Sequence, residues 1–184
     1  AVCLFLEKNR AIWAHIGDSR LYHFVDGVLK DYTLDHSVCQ VAVMLGEITR
    51  REIPGHPDRN RLLKVLGDET AAPEVHAPVT LSPGQHAFLL CSDGLWERLV
   101  EEEIQLDLHK SPTPDAWLDF LRRLGTLDNG EANVDGVAVE DAGKGLGNDA
   151  GDAAGLDGDG GVLPGGTAAK VFLRHHDVAL FDAA

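Results

Sequence analysis

Two aspartates stand where strongly apolar runs end among small residues. Asp18 follows Ala14-His15-Ile16-Gly17 and precedes Ser19-Arg20; Asp93 follows Phe88-Leu89-Leu90-Cys91-Ser92 and precedes Gly94-Leu95-Trp96. The end of a strand aims a short side chain into the cleft beyond the sheet, and carboxylate oxygens are hard donors that suit Mg²⁺ or Mn²⁺ better than zinc. Taken singly, each aspartate serves equally well as a turn former or a helix cap. Cys3, Cys39 and Cys91 are scattered, odd in number and without a Cys-x-x-Cys pair, so they spell neither a zinc site nor a disulfide framework. Cys3 and Cys91 lie inside apolar runs and read as core packing. His15 and His36 read as structural, through strand packing and capping.

The elements that would position these residues are legible over the first 125 residues. Val2 to Leu6, a polar Lys8-Asn9-Arg10 turn, and Ala11 to Ile16 predict a hairpin. Leu21 to Val25 and Val28 to Tyr32 flank Asp26-Gly27, the strongest short hairpin signal, and the two hairpins together predict an antiparallel meander. Ser37 with Gln40 three residues on is a capping pattern; Val38, Val41, Ala42 and Leu45 follow at helical spacing, and Gly46 is placed to stop the helix. Ala87 to Cys91 is a buried-strand run. Trp96, Val100, Ile104 and Leu108 recur every four residues, as do Trp117, Leu121 and their neighbours Leu118 and Leu124 behind Pro114. Strands followed by amphipathic helices predict an α+β fold, with helices covering a mostly antiparallel sheet.

Composition sets the limits. The 184 residues carry 16 basic and 30 acidic side chains, a net charge of −14 that disfavours nucleic acid or an anionic membrane as main partner. Residues 1–125 hold −6 of that charge and the remainder −8, so the final third is the more acidic. From Asp141 to Gly166 the chain is mostly Gly, Asp and Ala, a composition that reads as a disordered insert because it buries too little apolar surface to offset ordering. Gly145-Leu146-Gly147 and Asp157-Gly158-Asp159-Gly160 fit neither a phosphate loop nor a calcium loop. No apolar run is long enough to span a bilayer and the first residues lack a signal peptide's basic start, which predicts a soluble, cytoplasmic protein.

Six segments, in order and approximate spacing, resemble the bacterial metal-dependent protein phosphatases (PPM, or type 2C, Ser/Thr phosphatases). They are Gly17-Asp18-Ser19-Arg20-Leu21-Tyr22, Thr33-Leu34-Asp35-His36-Ser37, Gly46-Glu47-Ile48-Thr49, His56-Pro57-Asp58-Arg59-Asn60, Val65-Leu66-Gly67 and Leu90-Cys91-Ser92-Asp93-Gly94-Leu95-Trp96-Glu97. The resemblance covers roughly residues 1–125. It implies a β-sandwich of two antiparallel sheets flanked by helices, with a two-metal cluster in the cleft between the sheets. It also implies hydrolysis of phosphoserine or phosphothreonine in proteins, in opposition to a Ser/Thr kinase. Two divalent cations, Mn²⁺ or Mg²⁺ about 3.5–4 Å apart, would offset phosphoryl charge and activate a bridging water. By this resemblance Asp93 is a ligand of the catalytic metal pair and Asp18 helps hold an additional, weaker ion. Gly46 to Asn60 corresponds to the family's flap, where Arg50, Arg51, His56 and Arg59 offer positive charge to a phosphorylated peptide. As a bare sequence the same stretch is equally a solvated loop with a basic pair.

The match is incomplete at both ends. The family's Asp-Gly-x-Gly-Gly turn, whose aspartate bridges both metals, has no counterpart, so the fold is expected to lack its first strands and the chain alone to be weak or inactive. At the other end Asp128-Asn129 best matches the family's final Asp-Asn pair, making Asp128 a third metal ligand, and Lys170 to Phe181 would form a displaced last strand. The expected organisation is a partial phosphatase domain over 1–140, a Gly/Asp-rich disordered segment over 141–166, and a displaced terminal strand within 167–184. Two other readings stand beside it: a pseudophosphatase that binds a partner without turnover, and an acidic calcium-binding fragment organised by the Gly/Asp tract.

Overall fold

The computed structural model describes residues 1–7, 9–125, 134–139 and 169–172, the last two segments as backbone strands. Asp128 and the Asp141 to Gly166 tract lie outside the described residues. Both predicted hairpins form. β1 (Val2–Glu7) pairs antiparallel with β2 (Arg10–His15) in register Val2 to His15, and β3 (Arg20–Val25) pairs with β4 (Val28–Tyr32). Asp26 and Gly27 both take positive φ, 49° and 77°, the backbone of a two-residue turn whose twist matches its strands.

The two hairpins do not form one meander. β2 is flanked by β1 on one side and by the short strands β5 (Glu74–Val75) and β6 (Val79–Thr80) on the other, all antiparallel. β3 lies in a second antiparallel sheet of order β4-β3-β7-β8-β9, with β7 at His86–Cys91, β8 at Val134–Val139 and β9 at Ala169–Phe172. The chain changes sheet at Ile16 to Ser19, because both edges of β3 are already bonded, to β4 and to β7.

Side-chain alternation explains how the sheets stack. Along β3, Leu21 joins Ala11, Trp13, Leu81 and Phe88 in the core between the sheets, while Tyr22 and Phe24 join the core under the helices. Along β7, Phe88 faces the first sheet and Ala87, Leu89 and Cys91 face the helices. A strand covered on both faces must be apolar throughout, which is why Ala87 to Cys91 reads as an unbroken hydrophobic run.

The helices form the third layer. α1 (Val38–Met44) opens on Ser37, whose Oγ accepts the Gln40 N–H at 3.1 Å, and closes with Gly46 at φ 74°. Glu47 N donates to Ala42 O and Gly46 N to Val43 O, so the last carbonyls are satisfied by a left-handed C-terminal turn. A 3-10 helix follows over Arg50–Gly55. The four-residue repeat from Trp96 to Leu108 is two helices: α2 (Asp93–Trp96) and α3 (Glu101–Lys110). The break occurs where Glu103 Oε2 takes the Val100 N–H at 3.1 Å and three glutamates crowd the new N-terminus, both favouring a restart. α4 (Pro114–Gly125) packs Trp117, Leu118 and Leu121 into the same core, with the Trp117 indole donating to Ile104 O. Among the described residues no helix is long and apolar enough to cross a membrane.

Candidate active site

The turn that carries Asp18 is built by Gly17, whose φ of +91° lies in the left-handed region that side chains resist. Two other sequence segments clamp this turn. His36 N donates to Gly17 O at 2.9 Å, and Gly17 N donates back to His36 Nδ1 at 3.2 Å. From the opposite direction the Trp96 indole N–H donates to Asp18 O at 2.8 Å. Asp18 is therefore held by groups from the start of α1 and from α2.

Arg20 completes the frame. Its Nε and Nη2 each donate to one oxygen of Asp35 at 2.7 Å, its Nη1 reaches the Tyr22 hydroxyl at 3.2 Å, and its guanidinium lies 3.6 Å over the Trp96 ring. Burial works against the Arg20 charge, but the fork to Asp35 overrides it and holds the group more firmly protonated than usual. In the sequence, Arg20 and Asp35 stand within the matched segments without a role of their own, while His36 reads as a cap and Trp96 as part of a helical repeat. In the fold they are the bonds that bring those segments together.

Asp93 is the first residue of α2, directly after β7, and its Oδ1 accepts the Gly94 N–H at 3.0 Å. The carboxyl of Asp18 is pushed above the ordinary range, first by burial and then by the charge of Asp93. Glu97 behaves in the same way: burial raises it, Asp93 adds to the shift, Arg59 opposes it and Asp18 adds a little more. Three carboxylates from the β2–β3 turn and α2 thus share one electrostatic neighbourhood. Sequence reasoning misses Glu97, although its spacing of four from Asp93 puts both on one face of a helical turn. Such a set of mutually repelling hard oxygens is what a divalent cation relieves, so the donors present fit Mn²⁺ or Mg²⁺.

The predicted basic residues divide. Arg50 and Arg51 line a cleft of about 460 Å³ whose walls also include Arg20, Trp96 and Glu97. Arg50 approaches Glu101 at 3.6 Å and stands over the Tyr32 ring. Arg59 Nε comes within 3.8 Å of Glu97, at the acidic group rather than in the cleft wall. His56 turns into its own loop, with Nδ1 accepting the Asp58 N–H at 3.1 Å and facing Cys39 Sγ at 3.4 Å. The cysteines are free, and burial pushes the Cys91 thiol up to about 12, as befits a packing residue.

Comparison with known proteins finds relatives in sequence and in fold. No family model matches the chain. The serine/threonine phosphatase Stp of Listeria monocytogenes is 32% identical over 139 residues, which is 76% of this chain and 55% of the relative. The serine/threonine phosphatase PstP of Mycobacterium tuberculosis superposes with a TM-score of 0.64 at 30% identity, over 75% of this chain and 58% of that one. These relatives are PPM serine/threonine phosphatases, and the likeness runs over about three quarters of this chain. A PstP catalytic domain in complex with two manganese ions is similar at a TM-score of 0.63 and 29% identity, over 73% of this chain and 55% of the other. The chain spans a little over half the length of the curated relatives it matches.

Proposed function

We propose that this chain contributes to hydrolysis of phosphoserine and phosphothreonine in proteins by a metal-activated water, in the cytoplasm and in opposition to a Ser/Thr kinase. The observation that carries the reading is the position of Asp18 and Asp93 at the same end of the paired strands β3 and β7, where Arg20 stands opposite Cys91 and the Trp96 indole holds Asp18 O at 2.8 Å, beside an arginine-lined cleft. Asp18, Asp93 and Glu97 would hold Mn²⁺ or Mg²⁺, with Asp128 proposed as a further ligand. Such ions, when bound, lower the pKa of a coordinated water and offset phosphoryl charge.

The chain's own groups do the rest. Arg51 and Arg50 draw the phosphorylated segment into the cleft. Arg20, locked by Asp35, holds the Trp96 ring, and the Trp96 indole in turn fixes the Asp18 backbone. Arg59 draws Glu97 away from full repulsion with Asp93. Three free thiols agree with a reducing compartment.

The test uses the whole protein that carries this chain. Asp93→Ala is expected to abolish Mn²⁺-stimulated hydrolysis of p-nitrophenyl phosphate without loss of secondary structure, and unchanged turnover would refute the assignment. Arg51→Glu is expected to slow hydrolysis of a phosphopeptide far more than that of p-nitrophenyl phosphate. Equal losses on both would remove the arginines from substrate binding.

A further inference from the structure

Behind the Gly17-Asp18 turn lies a second group of donors that phosphoester chemistry leaves unused. In the ladder between β2 and β5, His15 stands opposite Glu74, and His76 N donates to Trp13 O at 2.9 Å. Residues two apart on a strand share a face, so His15, Glu74 and His76 project from the same side of the sheet.

The two separations from His76 match those between ligands of one metal ion. His76 Nε2 lies 3.4 Å from His15 Nδ1 and 3.7 Å from Glu74 Oε1. A ring nitrogen of His15, one of His36 and a Glu74 oxygen all fall within 4.8 Å of one another. An N–H donor prefers its acceptor at about 2.9–3.0 Å. Two donors bound to one tetrahedral zinc at 2.0–2.1 Å are separated by about 3.4 Å.

Proton positions decide which atoms are ligands. His15 Nε2 lies 2.8 Å from Leu34 O, which can only accept, so the hydrogen is on Nε2 and Nδ1 keeps a lone pair facing His76. His36 Nδ1 accepts from Gly17 N, so its hydrogen is on Nε2, 3.3 Å from Glu74 Oε2. His36 is thereby excluded as a ligand and cast as the partner that orients the carboxylate. A ligand histidine bonded to a backbone carbonyl and a carboxylate held by an outer donor are the usual supports of a zinc centre.

We propose that His15 Nδ1, His76 Nε2 and Glu74 form a Zn²⁺ site, distinct from the hard-oxygen group at Asp18 and Asp93. Imidazole nitrogens select a borderline cation over Mn²⁺ or Mg²⁺, and three protein donors leave one position for water. Zinc there braces the Asp18 turn from behind, through Glu74, His36 and Gly17.

The test is a calorimetric Zn²⁺ titration of the full chain in excess Mg²⁺, with Co²⁺ as a spectroscopic probe of nitrogen ligation. One equivalent is expected to bind, and Co²⁺ is expected to give the visible absorption of a nitrogen-ligated tetrahedral ion. His76→Ala and Glu74→Gln, both at accessible positions, are each expected to weaken Zn²⁺ about tenfold or more. Asp93→Asn is expected to leave zinc affinity unchanged. The proposal is overturned if the chain binds no zinc under these conditions, if both ladder variants bind as the wild type does, or if Asp93→Asn loses the ion.

Discussion

At the scale of single residues, the chemistry of the site depends on a few polar groups held out of water. Arg20 and Asp35 are both almost wholly buried, and their forked bond joins the Asp18 segment to the residues before α1. Removing one partner of such a pair leaves an uncompensated charge, which costs more than the pair contributes by existing. Asp35→Asn is therefore expected to destabilise the fold by about 3–5 kcal/mol in a denaturant titration. A loss of only a few tenths of a kcal/mol, typical of an exposed ion pair, would mean that Arg20 finds water in the folded state. Asp18 and Asp93 are legible in the sequence because each ends an apolar run. The Arg20–Asp35 pair is not, since nothing in one dimension says that residues fifteen apart meet. His56 carries another bond that its segment does not announce: its Nδ1 accepts the Asp58 N–H two residues away.

At the scale of elements, local chemistry predicts the turns and caps, while pairing partners decide the rest. The Asp26-Gly27 hairpin and the Ser37-capped helix are set by residues within a few positions of each other, and both form where the sequence places them. Gly46 shows how much of this is backbone alone. It sits at φ 74° with nothing within 4 Å of where a Cβ would stand, so a side chain there meets strain without a clash. Gly46→Ala is expected to cost roughly 1–2 kcal/mol, read as a lowered melting temperature with the α1 signal otherwise intact. A stabilised variant would mean that the left-handed turn is not needed to end the helix. The sheet change between β2 and β3 is not legible, because a hairpin signal carries no information about which sheet each hairpin joins. The four-residue repeat from Trp96 to Leu108 misleads for a related reason: it holds equally for two short helices that share one core.

At the scale of the whole molecule, an acidic protein of net charge −14 gathers arginines at one cleft and carboxylates beside it. That arrangement requires three layers, because Asp18 belongs to the crossing between sheets and Asp93 to the end of a strand covered on both faces. Periodicity yields only strands followed by helices; the two-sheet architecture comes from resemblance to the PPM phosphatases, and the solved relatives support it. The central claim is that Asp18 and Asp93 share one cation-binding neighbourhood. Burial and the Asp93 charge raise the Asp18 carboxyl, so the folded chain holds that proton more tightly than the unfolded one. The stabilising effect of that proton declines as pH rises through the Asp18 titration, and a bound cation offsets the loss. A carbon-detected NMR titration of the Asp18 carboxyl, in the wild type and in Asp93→Asn, with and without Mg²⁺, tests this most directly. The account predicts a midpoint above the ordinary carboxylate value in the metal-free wild type, lowered by the substitution and lowered again in the wild type by Mg²⁺. An Asp18 midpoint that is the same in both proteins and unmoved by Mg²⁺ would contradict it.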